Sequence, residues 1–368
     1  MHVLHVVGAR PNFMKAAPVL RALRSHSSVQ QTLVHTGQHY DAAMSEVFFQ
    51  QLGMPEPDCN LGIGSGSHAQ QTAAVMQAFE SVVCARHPDM VLVYGDVNST
   101  LAAALVCSKM GVPIAHVEAG LRSCDRGMPE EINRLLTDQL CDLLFTPSAD
   151  GDQNLAREGI PANKVHCVGN VMIDSLVALF PHAQELFPKD FLSPYALVTL
   201  HRPSNVDDLP WLSDLLRTLS ELSTKLNIIF PVHPRTRQRL QDLGFATNRG
   251  ESRLRLLDPL PYLEFIALQS RAALVITDSG GIQEEATFLG VPCLTVRENT
   301  ERPITVTLGT NQLVGRDLGK LRSAAEKIAA SPVSSESSRL PDPNRIPLWD
   351  GKASERIAEI LVRVFASR

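Results

Sequence analysis

The stretch richest in chemistry is Leu274-Val275-Ile276-Thr277-Asp278-Ser279-Gly280-Gly281-Ile282-Gln283-Glu284-Glu285. Leu274 to Ile276 is a short apolar run of strand type. Ser279-Gly280-Gly281 breaks it, and from Ile282 the residues favour a helix. A strand, a glycine turn and a helix N-terminus make an anion site, because unpaired amides converge there and the helix dipole adds positive potential. Glu285 falls about one helical turn beyond the glycines, where a carboxylate can accept hydrogen bonds from a ribose diol. The competing reading is an ordinary strand–turn–helix corner, and for Ser-Gly-Gly alone that reading would win.

A second turn, Gly8-Ala9-Arg10-Pro11-Asn12-Phe13-Met14-Lys15, carries two cations. Gly8 permits a tight turn, Pro11 suits a helix start, and Arg10 and Lys15 can both reach an anion. The spacing is not that of a dinucleotide fingerprint, and two solvated surface cations are the plainer alternative. Three carboxylate segments follow. Asp96 and Glu118 each end a buried run, and Glu130-Glu131 opens a helix after Met128-Pro129, with Asp125 in the loop before it. Any one of them can be structural, Asp96 as a helix N-cap and Glu130 or Glu131 as partners of a helix dipole. Gathered at one edge, like charges raise one another's pKa and poise an acid and a base. His201-Arg202 and His233-Pro234-Arg235 set a histidine beside an arginine, which suits a phosphate or a leaving group; satisfied structural histidines are the alternative. The twelve histidines show no HxxxH or HxH spacing, so no metal is expected. Gly62-Ile63-Gly64-Ser65-Gly66 lacks the helix context of a phosphate loop and reads as a flexible loop or lid.

Positioning these residues takes an alternating chain. Strands are expected at 2–7, 31–35, 90–94, 113–117, 143–146 and 165–168, then at 196–200, 228–232, 254–257, 274–276 and 293–296. Helices are expected between them, among them 13–25, 44–52, 68–85, 100–110, 130–141 and a last one at 353–365. This alternation is the pattern of parallel α/β sheets. Arg10, Asp96, Glu118, His201, His233 and Ser279 all fall just after strands, and in open parallel sheets ligands bind beyond that edge. Because the six come from both halves, the fold class expected is α/β, with two Rossmann-like domains facing across a cleft. They are expected at 1–170 and 171–368, with the last helix packing back on the first domain. The Ser- and Pro-rich stretch 331–350 reads as an irregular surface connection.

Composition agrees and excludes some classes. At 368 residues with 44% hydrophobic and 20% charged content, the chain can build two ordinary cores. A net charge of −5 and 5% aromatics argue against nucleic acid, anionic membranes and base-stacking platforms. No apolar run approaches a membrane span, and Met1 to Val7 lacks the basic region of a signal peptide. Seven cysteines, an odd number with no CxxC pair and mostly in apolar segments, read as reduced core residues of a cytoplasmic protein.

Eight segments stand in order along the chain: GARPNFMK (8–15), VYGD (93–96), HVEAGLRS (116–123), MPEEINR (128–134), TLHRPSNVD (199–207), PVHPRT (231–236), TDSGGIQEE (277–285) and TERP (300–303). With them the sequence resembles the non-hydrolysing UDP-N-acetylglucosamine 2-epimerase family over essentially its whole length. The resemblance implies a glycosyltransferase-B-like fold and a cytoplasmic homodimer serving cell-envelope polysaccharide synthesis. It implies interconversion of UDP-GlcNAc and UDP-ManNAc with no cofactor. UDP is eliminated across C1–C2 to leave a bound 2-acetamidoglucal, then adds back with protonation from the other face. Removing a poorly acidic C2 proton calls for a positioned carboxylate, expelling a diphosphate calls for a cationic cradle, and a closed site keeps water from the glucal. Carried over by motif, Asp96, Glu118 and Glu130 are the acid/base candidates, and Lys15 and His201 lie near the scissile bond or the phosphates. Arg10, His233, Ser279, Gly280, Gly281 and Glu285 hold UDP, with Glu285 on the ribose and Arg134 in the same pocket.

The sequence departs from the pattern at a regulatory position. Members activated by UDP-GlcNAc follow Gln-His with Arg and carry Arg-Gln-Thr in a later helix. Here Gln38-His39 is followed by Tyr40, and the helix reads Gln70-Gln71-Thr72, while Arg202 is kept. Two missing guanidiniums remove much of the charge that would hold a second diphosphate. Three alternatives stand beside the main reading: a hydrolysing 2-epimerase, an epimerase of a related UDP-2-acetamido sugar, and a non-catalytic UDP-sugar sensor.

Overall fold

The computed structural model describes residues 1–37, 51–188, 194–245, 253–330 and 342–366, with the backbone alone for Arg10. The chain divides into two compact units, Met1–Leu176 with Pro347–Arg368, and Val177–Ile346.

Unit 1 is built on seven parallel strands: β1 (His2–Val7), β2 (Gln30–His35), β3 (Cys59–Asn60), β4 (Met90–Tyr94), β5 (Ile114–Val117), β6 (Leu143–Thr146) and β7 (Val165–Cys167). Their order is β3-β2-β1-β4-β5-β6-β7. β1 sits between β2 and β4, in registers His2↔Gln30 and Val3↔Met90. Met90 to Tyr94 is buried throughout, as a strand covered on both faces must be. The helices are α1 (Arg10–Arg24), α2 (His68–Arg86), α3 (Asn98–Met110), α4 (Pro129–Leu140), α5 (Ala149–Arg157) and the start of α6 (Val171–Glu185), whose residues from Val177 on belong to unit 2, with α14 (Ala353–Ala366) returning at the end of the chain. The expected helix at 44–52 lies mostly outside the described residues.

The first helix begins at Arg10, three residues before the expected start. Asn12 is the reason: its Oδ1 accepts the Gly8 and Ala9 amides at 3.0 and 3.2 Å, satisfying donors that a helix start leaves open. Its Nδ2 donates to the Tyr94 carbonyl at 2.7 Å and ties the turn to β4. The chain re-enters unit 1 through Trp349, whose Nε1 donates to the Pro147 carbonyl at 2.9 Å. Asp174 of α6 then accepts the Ala353 and Ser354 amides at 3.1 and 2.7 Å and so caps α14, which packs on α1. The expected boundary near Gly169-Asn170 falls just ahead of α6.

Unit 2 repeats the plan with β8 (Tyr195–Thr199), β9 (Asn227–Pro231), β10 (Leu254–Leu257), β11 (Leu274–Thr277), β12 (Cys293–Thr295) and β13 (Asn311–Leu313). All are parallel, in the order β10-β9-β8-β11-β12-β13. Its helices are α7 (Pro203–Val206), α8 (Leu209–Leu222), α9 (Pro234–Asp242), α10 (Tyr262–Arg271), α11 (Gly280–Phe288), α12 (Ile304–Thr307) and α13 (Leu318–Ala330). Leu212, Leu215, Leu216 and Leu219 of α8 pack with Ile228, Phe230 and Ile276 in one buried cluster.

β3 and β13 were not expected, since runs of two and three residues that include Asn carry little strand propensity; neighbouring strands pair with them nonetheless. The cysteines depart from a uniform core reading. Cys107, Cys141 and Cys293 are buried and burial pushes their thiols up, but Cys84 and Cys124 are exposed. Among the described residues no helix is long and apolar enough to cross a membrane, and no group of three or more His, Cys, Asp or Glu is placed to hold a metal ion.

Candidate active site

In each unit the strand order reverses once, between β1 and β4 in unit 1 and between β8 and β11 in unit 2. Beyond the carboxyl ends of such strands an open parallel sheet leaves a crevice. The polar residues singled out in the sequence follow these strands or their neighbours.

In unit 1, Gly8 closes the turn after β1, where a Cβ would lie 2.4 Å from Ser99 Oγ. α1 then carries Lys15 inward to a buried position, and its ammonium pairs with Glu118. Gly95, at φ 62°, floors this pair: a Cβ there would stand 2.5 Å from Lys15 Nζ. Asp96 follows, half-buried. Its carboxylate takes Arg134 Nη1 at 2.5 Å and its carbonyl takes Asn133 Nδ2 at 2.8 Å. The N-cap position of α3 is Val97, directly after Asp96.

Glu118 directly follows β5 with φ 74°. That left-handed conformation costs a residue with a side chain roughly 1–3 kcal/mol and persists only where the surroundings enforce it. The Glu118 and Ala119 amides both donate to the Phe145 carbonyl, at 3.1 and 3.0 Å.

The glutamate pair of α4 splits into two roles. Glu131 is buried and fully engaged. It accepts the Ser123 amide and hydroxyl, the Cys124 amide, and both Nε and Nη2 of Arg134 at 3.0 and 2.7 Å. Burial acts to raise its pKa, but the Ser123 and Arg134 contacts outweigh it and hold the carboxyl below the usual range. Glu130 is half-buried, and among the described residues no hydrogen bond or ion pair occupies its carboxylate. It precedes Arg134 by one turn and shares its helix face. Arg134 thus bridges Asp96 and Glu131. Arg10 begins α1 in the same turn as Gly8.

In unit 2, His201 follows β8 and meets Asp278, which follows β11. His201 Nδ1 lies 2.9 Å from Asp278 Oδ1. The His201 and Arg202 amides donate to Asp278 Oδ2 at 3.0 and 2.9 Å, and Asn205 Nδ2 adds a contact at 3.1 Å. Asp278 is fully buried; burial would raise its pKa, but the His201 contact and these donors hold it below the ordinary value. The His233 ring lies 5.6 Å from that of His201, and its Nδ1 accepts the Arg235 amide at 3.2 Å as the cap of α9. Arg235 itself pairs with Asp207.

Ser279 caps α11, and Gly280 and Gly281 are its first residues, so their amides are among those no helical carbonyl accepts. A Cβ on Gly280 would lie 2.5 Å from Arg302 Nη1. Arg302, nearly buried, is held by Glu284 at 2.8 Å and faces Glu301 at 3.5 Å. A guanidinium therefore stands beside the helix N-terminus. Glu285, one turn on, is buried and accepts the Tyr262 hydroxyl at 2.7 Å. The Gln269 amide, assigned with its nitrogen toward Glu285, donates at 3.0 Å.

Of the regulatory candidates, Gln38 and His39 lie outside the described residues. Arg202 caps α7, with its guanidinium 3.9 Å from Glu301. Gln70 closes a capping box at the start of α2: Ser67 Oγ accepts its amide at 3.3 Å and its Oε1 accepts the Ser67 amide at 3.1 Å.

Sequence reasoning passed over Asp278, Arg302 and Tyr262, and in unit 1 His116, Arg122 and Asp138. Asp278 and Arg302 stood inside quoted motifs with no role attached. Asp138 sits in mid-helix with no motif around it, and only the fold brings it to the sheet.

Two doubly wound parallel sheets, each with its polar residues beyond the carboxyl ends around a switch point, make this a two-unit Rossmann-like protein of the glycosyltransferase-B type. The chain belongs to the UDP-N-acetylglucosamine 2-epimerase family, which it matches over residues 21–362. It is 44% identical over 337 residues to a UDP-N-acetylglucosamine 2-epimerase of Methanococcus maripaludis, covering 89% of this chain and 91% of that one. It is also 44% identical over 369 residues to the UDP-2,3-diacetamido-2,3-dideoxy-D-glucuronate 2-epimerase of Pseudomonas aeruginosa, covering 99% of this chain and 100% of that one. Its fold superposes with a TM-score of 0.86 on the Methanocaldococcus jannaschii UDP-GlcNAc 2-epimerase crystallised with UDP-GlcNAc and UDP, at 40% identity over 99% of this chain and 100% of that one.

Proposed function

We propose that the protein interconverts UDP-GlcNAc and UDP-ManNAc by the non-hydrolysing route. A base takes the C2 proton, the C–H electrons form the C1=C2 bond, and the C1–O bond to UDP breaks. UDP oxygen then re-adds to C1 of the 2-acetamidoglucal while an acid protonates C2 from the opposite face. The observation that carries this reading is the unit 1 edge. There Asp96 and Glu118 stand at the ends of neighbouring strands, each with a cation on it, Arg134 and Lys15. Asp96, Glu118 and Glu130 are the proton-transfer groups, and Lys15 neutralises charge developing near the leaving group. His201, oriented by Asp278, serves the phosphates. Ser279, Gly280 and Gly281 supply amides to the diphosphate with Arg10 and Arg302 as cations, His233 joins them in holding UDP, and Glu285 takes the ribose. A homodimer and a cytoplasmic setting go with this reading.

Incubation with UDP-GlcNAc in deuterium oxide, followed by proton NMR, tests it. The expected product is UDP-ManNAc with deuterium at C2. Stoichiometric free UDP and ManNAc would identify a hydrolysing enzyme, and tight UDP binding without exchange would identify a sensor. The Pseudomonas relative supports a second reading, in which the substrate is a UDP-2,3-diacetamido uronate. Comparing kcat/KM for the two sugars decides between them.

A further inference from the structure

Helix α4 carries a group that touches no part of the proposed site directly yet reaches two of its strands. Asp138 is completely buried. Its Oδ1 lies 2.6 Å from Nδ1 of His116, a β5 residue that is itself fully buried. Its Oδ2 accepts the Gly120 amide at 3.1 Å and lies 2.7 Å from Arg122 Nη2. Arg122 closes the cluster on Glu158 with two contacts of 2.7 Å. One carboxylate therefore grips the chain two residues before Glu118 and two residues after it. Between those grips Glu118 is held at φ 74° and Gly120 at φ 80°.

The second arm leads to Asp96. Nε2 of His116 lies 2.8 Å from the Gly95 carbonyl. Both ring nitrogens face acceptor oxygens, the Asp138 carboxylate on one side and the Gly95 carbonyl on the other. The Gly95 amide donates to the Val117 carbonyl at 3.0 Å. Gly95 is thus fixed at both its polar groups, directly before Asp96 and against the Lys15 ammonium.

We propose that Asp138 and His116 are positioning residues for the proposed epimerisation: Asp138 enforces the strained backbone of Glu118 and, through His116, sets the Gly95–Asp96 turn, so that one buried carboxylate aligns both acid/base groups. Neither side chain reaches the substrate. The inference rests on the proposed reaction and adds to it the source of the alignment. A buried His–Asp–Arg cluster used only for stability would be replaceable without effect on chemistry; one that sets geometry would not, since a misplacement of about 1 Å can cost roughly 100-fold in rate.

The test compares Asp138→Asn, His116→Gln and His116→Leu with wild type in the deuterium-exchange assay, with calorimetric UDP binding and circular dichroism on the same samples. Asp138→Asn should lower kcat roughly 10- to 100-fold with KM and UDP affinity within about twofold of wild type. His116→Gln keeps an amide donor for the Gly95 carbonyl and should recover part of the kcat that His116→Leu loses. A purely structural cluster predicts lower melting temperatures with kcat per folded molecule unchanged in all three, and that result overturns the proposal. If Asp138→Asn does not fold, the two His116 variants decide: equal kcat for both, close to wild type, overturns it. A wild-type protein silent in the assay would instead overturn the epimerase reading, and this inference with it.

Discussion

At the scale of single residues, the contacts separate fully engaged carboxylates from those proposed to transfer protons. Glu131, with both oxygens engaged by Ser123, Cys124 and Arg134, is a scaffold, while its neighbour Glu130 keeps an unoccupied carboxylate among the described residues. Asp96→Asn, Glu118→Gln and Glu130→Gln are each expected to slow C2 exchange by at least about 100-fold while UDP affinity stays near wild type. Exchange assays and calorimetry on the same preparations check this, and full turnover by one variant clears that residue. In unit 2, Glu285→Ala removes the buried carboxylate proposed to take the ribose, so UDP binding should weaken by about 1–3 kcal/mol. Unchanged affinity would refute the ribose assignment.

At the scale of elements, α4 shows how the fold spends a helix. Its buried face is Glu131, Asn133, Arg134, Thr137 and Asp138, while Ile132 and Leu136 are exposed. The usual amphipathic rule is inverted, because this face supports the strand ends rather than filling a core. A different element bears mainly on stability, the strap that brings the chain back to unit 1. Gly169 has φ 92°, and a Cβ there would lie 2.0 Å from the Leu348 carbonyl oxygen. Backbone cannot yield as a flexible side chain can, so Gly169→Ala should lower the melting temperature by several degrees, at a cost of at least about 2 kcal/mol. A melting curve superposable on wild type would show that the strap relaxes freely.

At the scale of the whole molecule, buried histidines set the response to acid. Burial lowers the His5 pKa from 6.5 to about 3, while its Nδ1 stays on the Tyr94 hydroxyl at 2.6 Å. The unfolded chain takes up this proton near 6.5 and the folded chain only near 3, so the stability tied to neutral His5 is complete above pH 6.5 and is lost as pH falls toward 3. Burial lowers His35 and His166 as well, with the same sign. Asp278 and Asp138, both held low by their partners against burial, add losses only below about pH 4. Urea midpoints should therefore fall between pH 7 and pH 5. His5→Gln should flatten that slope by up to about 1.4 kcal/mol per pH unit, one proton's worth. An unchanged slope would place the acid sensitivity elsewhere.

Strand–helix alternation, the polar residues following the strands and the ordered motifs are local features, and one sequence was enough to read them. Strand segments announce themselves by apolar runs such as Met90 to Tyr94, and the glycine turns at Gly8 and Gly280 by residue type, because both are decided within a few residues. The departures have a different origin. β13 is three residues long and is a strand only because β12 pairs with it. Glu131 could be told from Glu130 only once Ser123 and Arg134 were in place. Asp138, 42 positions from Asp96 and in mid-helix, gained its role from strand order, which sets β5 beside β4 and lays α4 across their ends. Contacts between residues distant in sequence depend on which strands become neighbours, and no local periodicity encodes that.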